Sequence, residues 1–301
     1  MLYTKKISKC SIPAVRSDGR PFLRALYSCV ITLAVLLTLP RNADAQQLFI
    51  SQGVPGTVGK WDANTGFPIN GNFITGFSNP SGLAVKGNDL YVSDLIVGTV
   101  GKFDTTNGFA INANLITGLG GPEGMVFDGN FLFVTNSSTG TVGVYDSGTG
   151  LPINGSFITG LVTPEGIARS GNLLFVTDYS NDTVGVYNVI TGVPINADLI
   201  DIDGPVGIVV YKGKLLVASF TDGTVGEYDM HTGFPINGQF ITGLSFPQGL
   251  VLVGNDLLVA EYTTNPVGKI SKYNAATGFA INGHFITDIS TPFGMAVSAK
   301  K

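Results

Sequence analysis

The chain has 301 residues, 44% of them hydrophobic and only 13% charged, with 41 glycines. That composition excludes a disordered chain, and a net charge of −4 disfavours a polyanionic partner such as nucleic acid. Glycine at about one residue in seven points to many tight turns, and so to short strands rather than long helices.

Residues 1–45 differ from the rest. Lys5, Lys6, Lys9, Arg16, Arg20 and Arg24 precede an apolar run of 15 residues, ALYSCVITLAVLLTL at 25–39, which is followed by Pro40 and the small-x-small site Ala43-Asp44-Ala45. A basic region, an apolar stretch and a small-residue site predict a secretory signal removed before Gln46. The alternative, an uncleaved membrane anchor, would need about 20 apolar residues to span a bilayer. The expected location is therefore extracytoplasmic, in a periplasm or outside the cell, with no membrane span in the mature chain.

Cys10 and Cys29 both fall in this segment, so residues 46–301 contain no thiol. A mature chain of 256 residues is long enough to bury a sufficient core without disulfides. Residues 1–45 also hold seven basic and two acidic side chains, which leaves ten basic against nineteen acidic, a net −9, in the remainder.

From residue 48 the chain repeats itself. LFIS at Leu48 recurs as LYVS at Leu90, LFVT at Leu132, LFVT at Leu174, LLVA at Leu215 and LLVA at Leu257, at spacings of 42, 42, 42, 41 and 42. Each copy carries four short apolar stretches, as in PSGLAV from Pro80, DLYVS from Asp89, TVGKFD from Thr99 and INANLIT from Ile111. Stretches rich in Val, Ile, Phe and Tyr, separated by Gly, Asn and Asp, read as strands, so each copy predicts one four-stranded antiparallel sheet.

A lone sheet apolar on both faces cannot stand in water. Six sheets stacked radially bury every face, which predicts an all-β, six-bladed β-propeller over residues 46–301. The P-x-G stretch belongs innermost, where strands converge and Gly82, Gly124, Gly166, Gly207, Gly249 and Gly294 remove bulk. The chain enters on the second strand of a blade at Leu48 and stops after a first strand at Pro292, so its tail is expected to complete the first blade and close the ring. A monomer is the expected state.

The pattern P-x-G-[ILM]-A-V, G-N-x-L-[FY]-V-[ST]-[DN] and V-G-x-[YF]-D resembles NHL-repeat propellers and their relatives in the gluconolactonase-like and streptogramin-lyase-like superfamily, across essentially all of residues 46–301. The resemblance implies the architecture. It does not imply one activity, because that superfamily includes lactonases, lyases and pure binding scaffolds. A gluconolactonase-like site would combine a glutamate, asparagines and an aspartate on one divalent ion, for which Glu123 or Glu165, Asn136 and Asp178 offer a partial match.

Two columns of the repeat map to one rim of such a ring. The x of P-x-G reads Ser81, Glu123, Glu165, Val206, Gln248 and Phe293; the end of the second strand reads Gln52, Asp94, Asn136, Asp178, Ser219 and Glu261. Three readings stand for the polar members: ties to backbone amides at turns, oxygen ligands for calcium or another divalent cation, or a Glu123–Glu165 pair sharing a proton for acid–base work.

Departures from the repeat fall on the same rim. Asp201 and Asp203 precede the innermost strand of one copy, and Asn265 and Pro266 lie in a lengthened loop of the last. His231 and His284 are isolated and read as solvated surface residues. The aromatic column Trp61, Phe103, Tyr145, Tyr187, Tyr228 and Tyr273 reads as packing between blades. The sequence holds no G-x-S-x-G elbow, H-E-x-x-H pair or phosphate loop. The expected function is an exported binding or interaction scaffold, taking a protein, carbohydrate or small molecule at an acidic rim; the alternative is a divalent-cation-dependent, lactonase-like hydrolase or a lyase using that rim.

Overall fold

Each copy of the repeat folds into four antiparallel strands, and six such sheets stand in a ring in the computed structural model, which describes residues 46–263 and 267–299. The proposed signal segment and the pair Asn265 and Pro266 lie outside the described residues. Blade 2 shows the pattern: Pro80–Lys86 innermost, then Asp89–Asp94, Thr99–Asp104 and Ala110–Ile116 outward. Blades 3 to 6 repeat it, with innermost strands Pro122–Asp128, Pro164–Ser170, Pro205–Tyr211 and Pro247–Val253.

Blade 1 is shared between the chain ends. Its innermost strand, Pro292–Val297, pairs with Gln47–Gln52 in the register Leu48↔Val297 and Ile50↔Met295. Polar bonds continue the seam beyond the strands: the Gln47 amide donates to Ser298 Oγ and the Gln46 side chain donates to the Ser298 carbonyl, both at 2.9 Å. The ring therefore closes through hydrogen bonds, as its end registers predict.

The innermost strands touch in cyclic order, and the axial glycines make this possible. A Cβ added to Gly82 would sit 1.8 Å from the Glu123 carbonyl oxygen of the next blade, and the equivalent distance is 2.4 Å from Gly124 to Glu165, 2.1 Å from Gly166 to Val206, 2.2 Å from Gly207 to Gln248 and 2.3 Å from Gly249 to Phe293. The circuit ends with Gly294 at 2.3 Å from the carbonyl of Ser81. No side chain fits at any of the six.

The faces between blades form the core. Side chains two apart on a strand share a face, so in V-G-x-[YF]-D the aromatic ring folds back over its own glycine: a Cβ on Gly59 would meet the Trp61 ring at 2.1 Å. Trp61, Phe103, Tyr145, Tyr187, Tyr228 and Tyr273 are all buried between neighbouring blades. In the turn just ahead of each outermost strand, Phe67, Phe109, Leu151, Val193, Phe234 and Phe279 stay exposed.

Candidate functional site

The P-x-G bulge aims one side chain of each blade at the axis. In every blade the pairing of first and second strands shifts register just after the proline, as between Pro80 and Leu83 or Pro122 and Met125. A bulge re-aims the residue it carries. Ser81, Glu123, Glu165, Val206, Gln248 and Phe293 accordingly line a narrow axial cavity of about 80 Å³.

Hydroxyls on the second strands hold these residues in place. Ser93 Oγ accepts the Gly82 amide at 2.8 Å and donates to the Glu123 carbonyl at 3.0 Å, while Thr135 Oγ1 donates to the Glu165 carbonyl at 2.7 Å. Ser51 and Thr177 bond the carbonyls of Ser81 and Val206 in the same way. In blades 5 and 6 this position is Ala218 and Ala260. The backbones bearing Glu123 and Glu165 are thus clamped by a neighbour, and those bearing Gln248 and Phe293 have no such hydroxyl.

Glu123 and Glu165 stand in adjacent blades, half-buried, and they perturb each other. Burial pushes the Glu123 carboxyl from 4.5 up to about 7, against hydrogen bonds from Ser137 and Ser81. Burial, reinforced by the charge of Glu123, pushes Glu165 up to about 9. At neutral pH the pair holds at least one proton.

The second acidic column does different work. Asp94 is buried and accepts four backbone amides, from Ser78 at 2.7 Å, Asn79 at 3.2 Å, Ile96 at 3.3 Å and Val97 at 3.2 Å. It ties the loop entering its blade to the loop joining the second and third strands. Asp178 accepts Val162 N at 2.9 Å and Thr163 N at 2.6 Å; Glu261 accepts Ser245 N and the Ser271 hydroxyl and pairs with Lys269 at 3.3 Å. Asn136 is buried, with its Nδ2 on the Val134 carbonyl and its Oδ1 unpartnered. None of these four lines the axial cavity.

Asp94→Ala is expected to leave four part-buried amides without their acceptor at once and to cost about 2–3 kcal/mol, lowering the melting temperature by roughly 5–10 °C. Thermal unfolding followed by circular dichroism checks it; a melting temperature unchanged from the parent refutes the tie.

Of the remaining sequence candidates, Asp201 and Asp203 are exposed, and the Asp203 carbonyl accepts Ser219 Oγ at 2.6 Å. His231 and His284 are exposed in separate blades. Glu123, Glu165 and Gln248 are the residues from the acidic-rim set that the ring brings onto one cavity.

Sequence reasoning missed the other half of the rim. Tyr179, Phe220, Phe246, Tyr262 and Phe293 form an arc across blades 4, 5, 6 and 1, with ring centroids 6.2, 5.0, 6.5 and 6.5 Å apart in that order. Tyr262 and Phe293 are nearly parallel, at 15°. All five are half-buried. Phe220, Tyr262 and Phe293 join Gln248, Asn79, Ser78 and Thr291 around a cleft of about 450 Å³, and Gln248 and Phe293 belong to the axial cavity as well.

Phe246 has φ of +42°, in the left-handed region, at a position where blades 3 and 5 carry Gly121 and Gly204, also with positive φ. A non-glycine residue there costs on the order of 1 kcal/mol. The ring stays in place because Phe220 packs on it and because the Tyr262 amide bonds the Phe246 carbonyl at 3.3 Å.

A closed six-sheet ring with a lined axial mouth defines the chain as a six-bladed β-propeller. No protein-family model matches it, and no curated protein does. Among solved structures it is similar to a chain of the nidogen/laminin complex, with a TM-score of 0.71 at 18% identity over 85% of this chain and 99% of that one. A second similarity, to the computationally designed Ika8 protein, has a TM-score of 0.49 at 17% identity, covering 84% of this chain and 74% of that one.

Proposed function

We propose that the protein is an exported propeller that works by binding, and that its ligand is a small molecule seated at the axial mouth. The observation that carries this reading is the asymmetry of the rim. Six near-identical blades would produce six equivalent positions, yet aromatic rings gather on blades 4, 5, 6 and 1 beside the cleft, and carboxyl groups on blades 3 and 4. A largely apolar cleft with a few polar groups and carboxyls of shifted acidity is the form ligand sites commonly take.

Export rests on the basic, apolar and small-residue order of residues 1–45. The similar chain in the nidogen/laminin structure belongs to a protein complex; the concave cleft here, of about 450 Å³, is of small-molecule size and favours a small ligand. For the lactonase-like or lyase alternative, the described residues contain no group of three or more His, Cys, Asp or Glu side chains placed to hold an ion.

A panel of small molecules screened by thermal shift tests the reading. A ligand at 100 times its Kd stabilises by about 2.7 kcal/mol, and its shift is expected to vanish in Phe293→Ser. Hits whose shifts survive that substitution place binding elsewhere and overturn the assignment.

The carboxyl pair supplies a second check. Both groups keep protons in the folded chain after the unfolded chain has lost them, so between about pH 4.5 and pH 9 the folded state binds more protons. Stability then falls as pH rises through that window. Melting temperatures taken from pH 5 to pH 9 are expected to decline in the parent and to flatten in Glu123→Gln combined with Glu165→Gln. Asp104, Asp146 and Asp229, whose carboxyls are held below 3.8 by backbone amides, titrate beneath this range. An identical slope in the double variant removes the pair as its cause.

A further inference from the structure

Resting on that reading, we propose that the mouth selects an organic cation: an ammonium group seated against Glu123 and Glu165, with an apolar or aromatic body in the cleft walled by Phe293, Tyr262 and Phe220.

Charge makes the first argument. Among the described residues, no lysine or arginine lines the axial cavity or the cleft. The two carboxyls therefore face the cavity without a cationic side chain among its walls, and a ligand cation supplies what the protein does not. An anion meets the negative charge that the pair carries there. A neutral ligand leaves that charge without a counter-charge.

Size and shape make the second. At about 80 Å³ the axial cavity admits an ammonium group and excludes a six-membered ring, whereas the cleft, at about 450 Å³, takes a ring-bearing body. Phe293 and Gln248 belong to both, so a molecule lying on Phe293 in the cleft is placed at the channel edge. In the ring order Phe293 stands three blades from Glu165, across the axis. A cation between them meets a carboxyl on one side and an aromatic ring on the other, and both attract positive charge.

Coordination chemistry separates this occupant from a metal ion. Calcium takes six to eight oxygen ligands, and magnesium takes six in strict octahedral geometry. Glu123 and Glu165 have Ser81 and Gln248 as polar neighbours in the cavity wall, beside the apolar Val206 and Phe293. Asp94, Asp178 and Glu261 are occupied with backbone amides, a serine hydroxyl and Lys269. An ammonium needs only two or three acceptors and tolerates an aromatic wall.

Three probes that share one ring and differ in charge test this: phenethylammonium, 2-phenylethanol and phenylacetate, each titrated into the purified chain by calorimetry. The amine is expected to bind at least tenfold more tightly than the alcohol, and phenylacetate more weakly than either. Glu123→Gln with Glu165→Gln is expected to abolish the amine's advantage and to leave alcohol binding within twofold, while Tyr262→Ser weakens amine and alcohol together. Circular dichroism melts confirm that each variant is folded.

Alcohol or phenylacetate binding as tightly as the amine overturns the cation, as does an amine preference that survives the double substitution. If that equal binding is lost in Tyr262→Ser, the mouth remains a ligand site and only its charge selectivity is wrong. Failure of all three probes also overturns the cation inference, and the binding reading then falls only if the wider panel yields no Phe293-dependent shift.

Discussion

Gly82→Ala is expected to destabilise the ring by about 3 kcal/mol or more, a drop in melting temperature of roughly 6–12 °C for a domain of this size. The new Cβ would lie 1.8 Å from the Glu123 carbonyl oxygen and 2.7 Å from its carbonyl carbon. Those are backbone atoms, so no rotamer change relieves the clash. Strand Pro122–Asp128 has to move, and moving it breaks the 3.0 Å bond from Ser93 Oγ to that same carbonyl.

Because each innermost strand abuts the next, the displacement is passed around the axis. Gly71→Ala is the matched control: nothing lies within 4 Å of its added Cβ, and its effect is expected within about 0.5 kcal/mol of zero. Thermal and urea unfolding of the two variants decide the matter. Equal, small losses would mean that the axial packing is slack.

Ending the chain at Thr291 is expected to abolish cooperative unfolding altogether. The truncation removes the innermost strand of blade 1, and with it Val297, Ala296 and Met295, the partners of Leu48, Phe49 and Ile50; it thereby uncovers those three residues, which are fully buried in the closed ring, and takes Met295 out of the core between blades 6 and 1. It also removes Gly294, the last member of the axial circuit, and the carbonyl of Phe293 on which Gly249 packs. A loss of that kind is comparable to the whole stability of a domain, about 5–15 kcal/mol.

A circular permutant distinguishes lost closure from lost residues. Opening the chain after Ser290 and joining Ala299 to Gln46 through a short flexible linker gives blade 1 four strands in sequence order. This permutant is expected to retain a single sharp transition, while the truncated chain shows none and binds hydrophobic dyes. A truncated chain that melts cooperatively near the parent temperature would show that five blades and an incomplete sixth suffice.

Much of the architecture is legible in the letters because it is written six times. A four-stretch unit at a period of 42 forces one kind of sheet, and P-x-G marks the end that must be thin. The starting and stopping points of the repeat then specify which strands meet at the seam. Gly82 and Gly294, far apart in the chain, were predictable as members of one column from their motif alone.

The site was only half legible. Glu123 and Asp94 are both acidic letters near the ends of strands, and composition cannot separate them. The bulge after proline turns Glu123 toward the axis, whereas Asp94, at the end of a second strand, meets the amides of two loops. The aromatic arc left less trace. Tyr179, Phe220 and Tyr262 share one repeat position, Phe246 occupies another and Phe293 a third. No single column displays them, so they read as scattered substitutions.

The sequence by itself therefore determined the blade, the number of blades and the closure, since alternating apolar stretches admit one way to bury both faces of every sheet. Which side chains share the mouth, and which rim acids are consumed by backbone amides, was decided by the tertiary structure alone. The reason is geometric. Radial stacking brings residues from blades distant in the chain, such as Glu165 and Phe293, around one axis, and a one-residue bulge determines whether a carboxyl faces that axis.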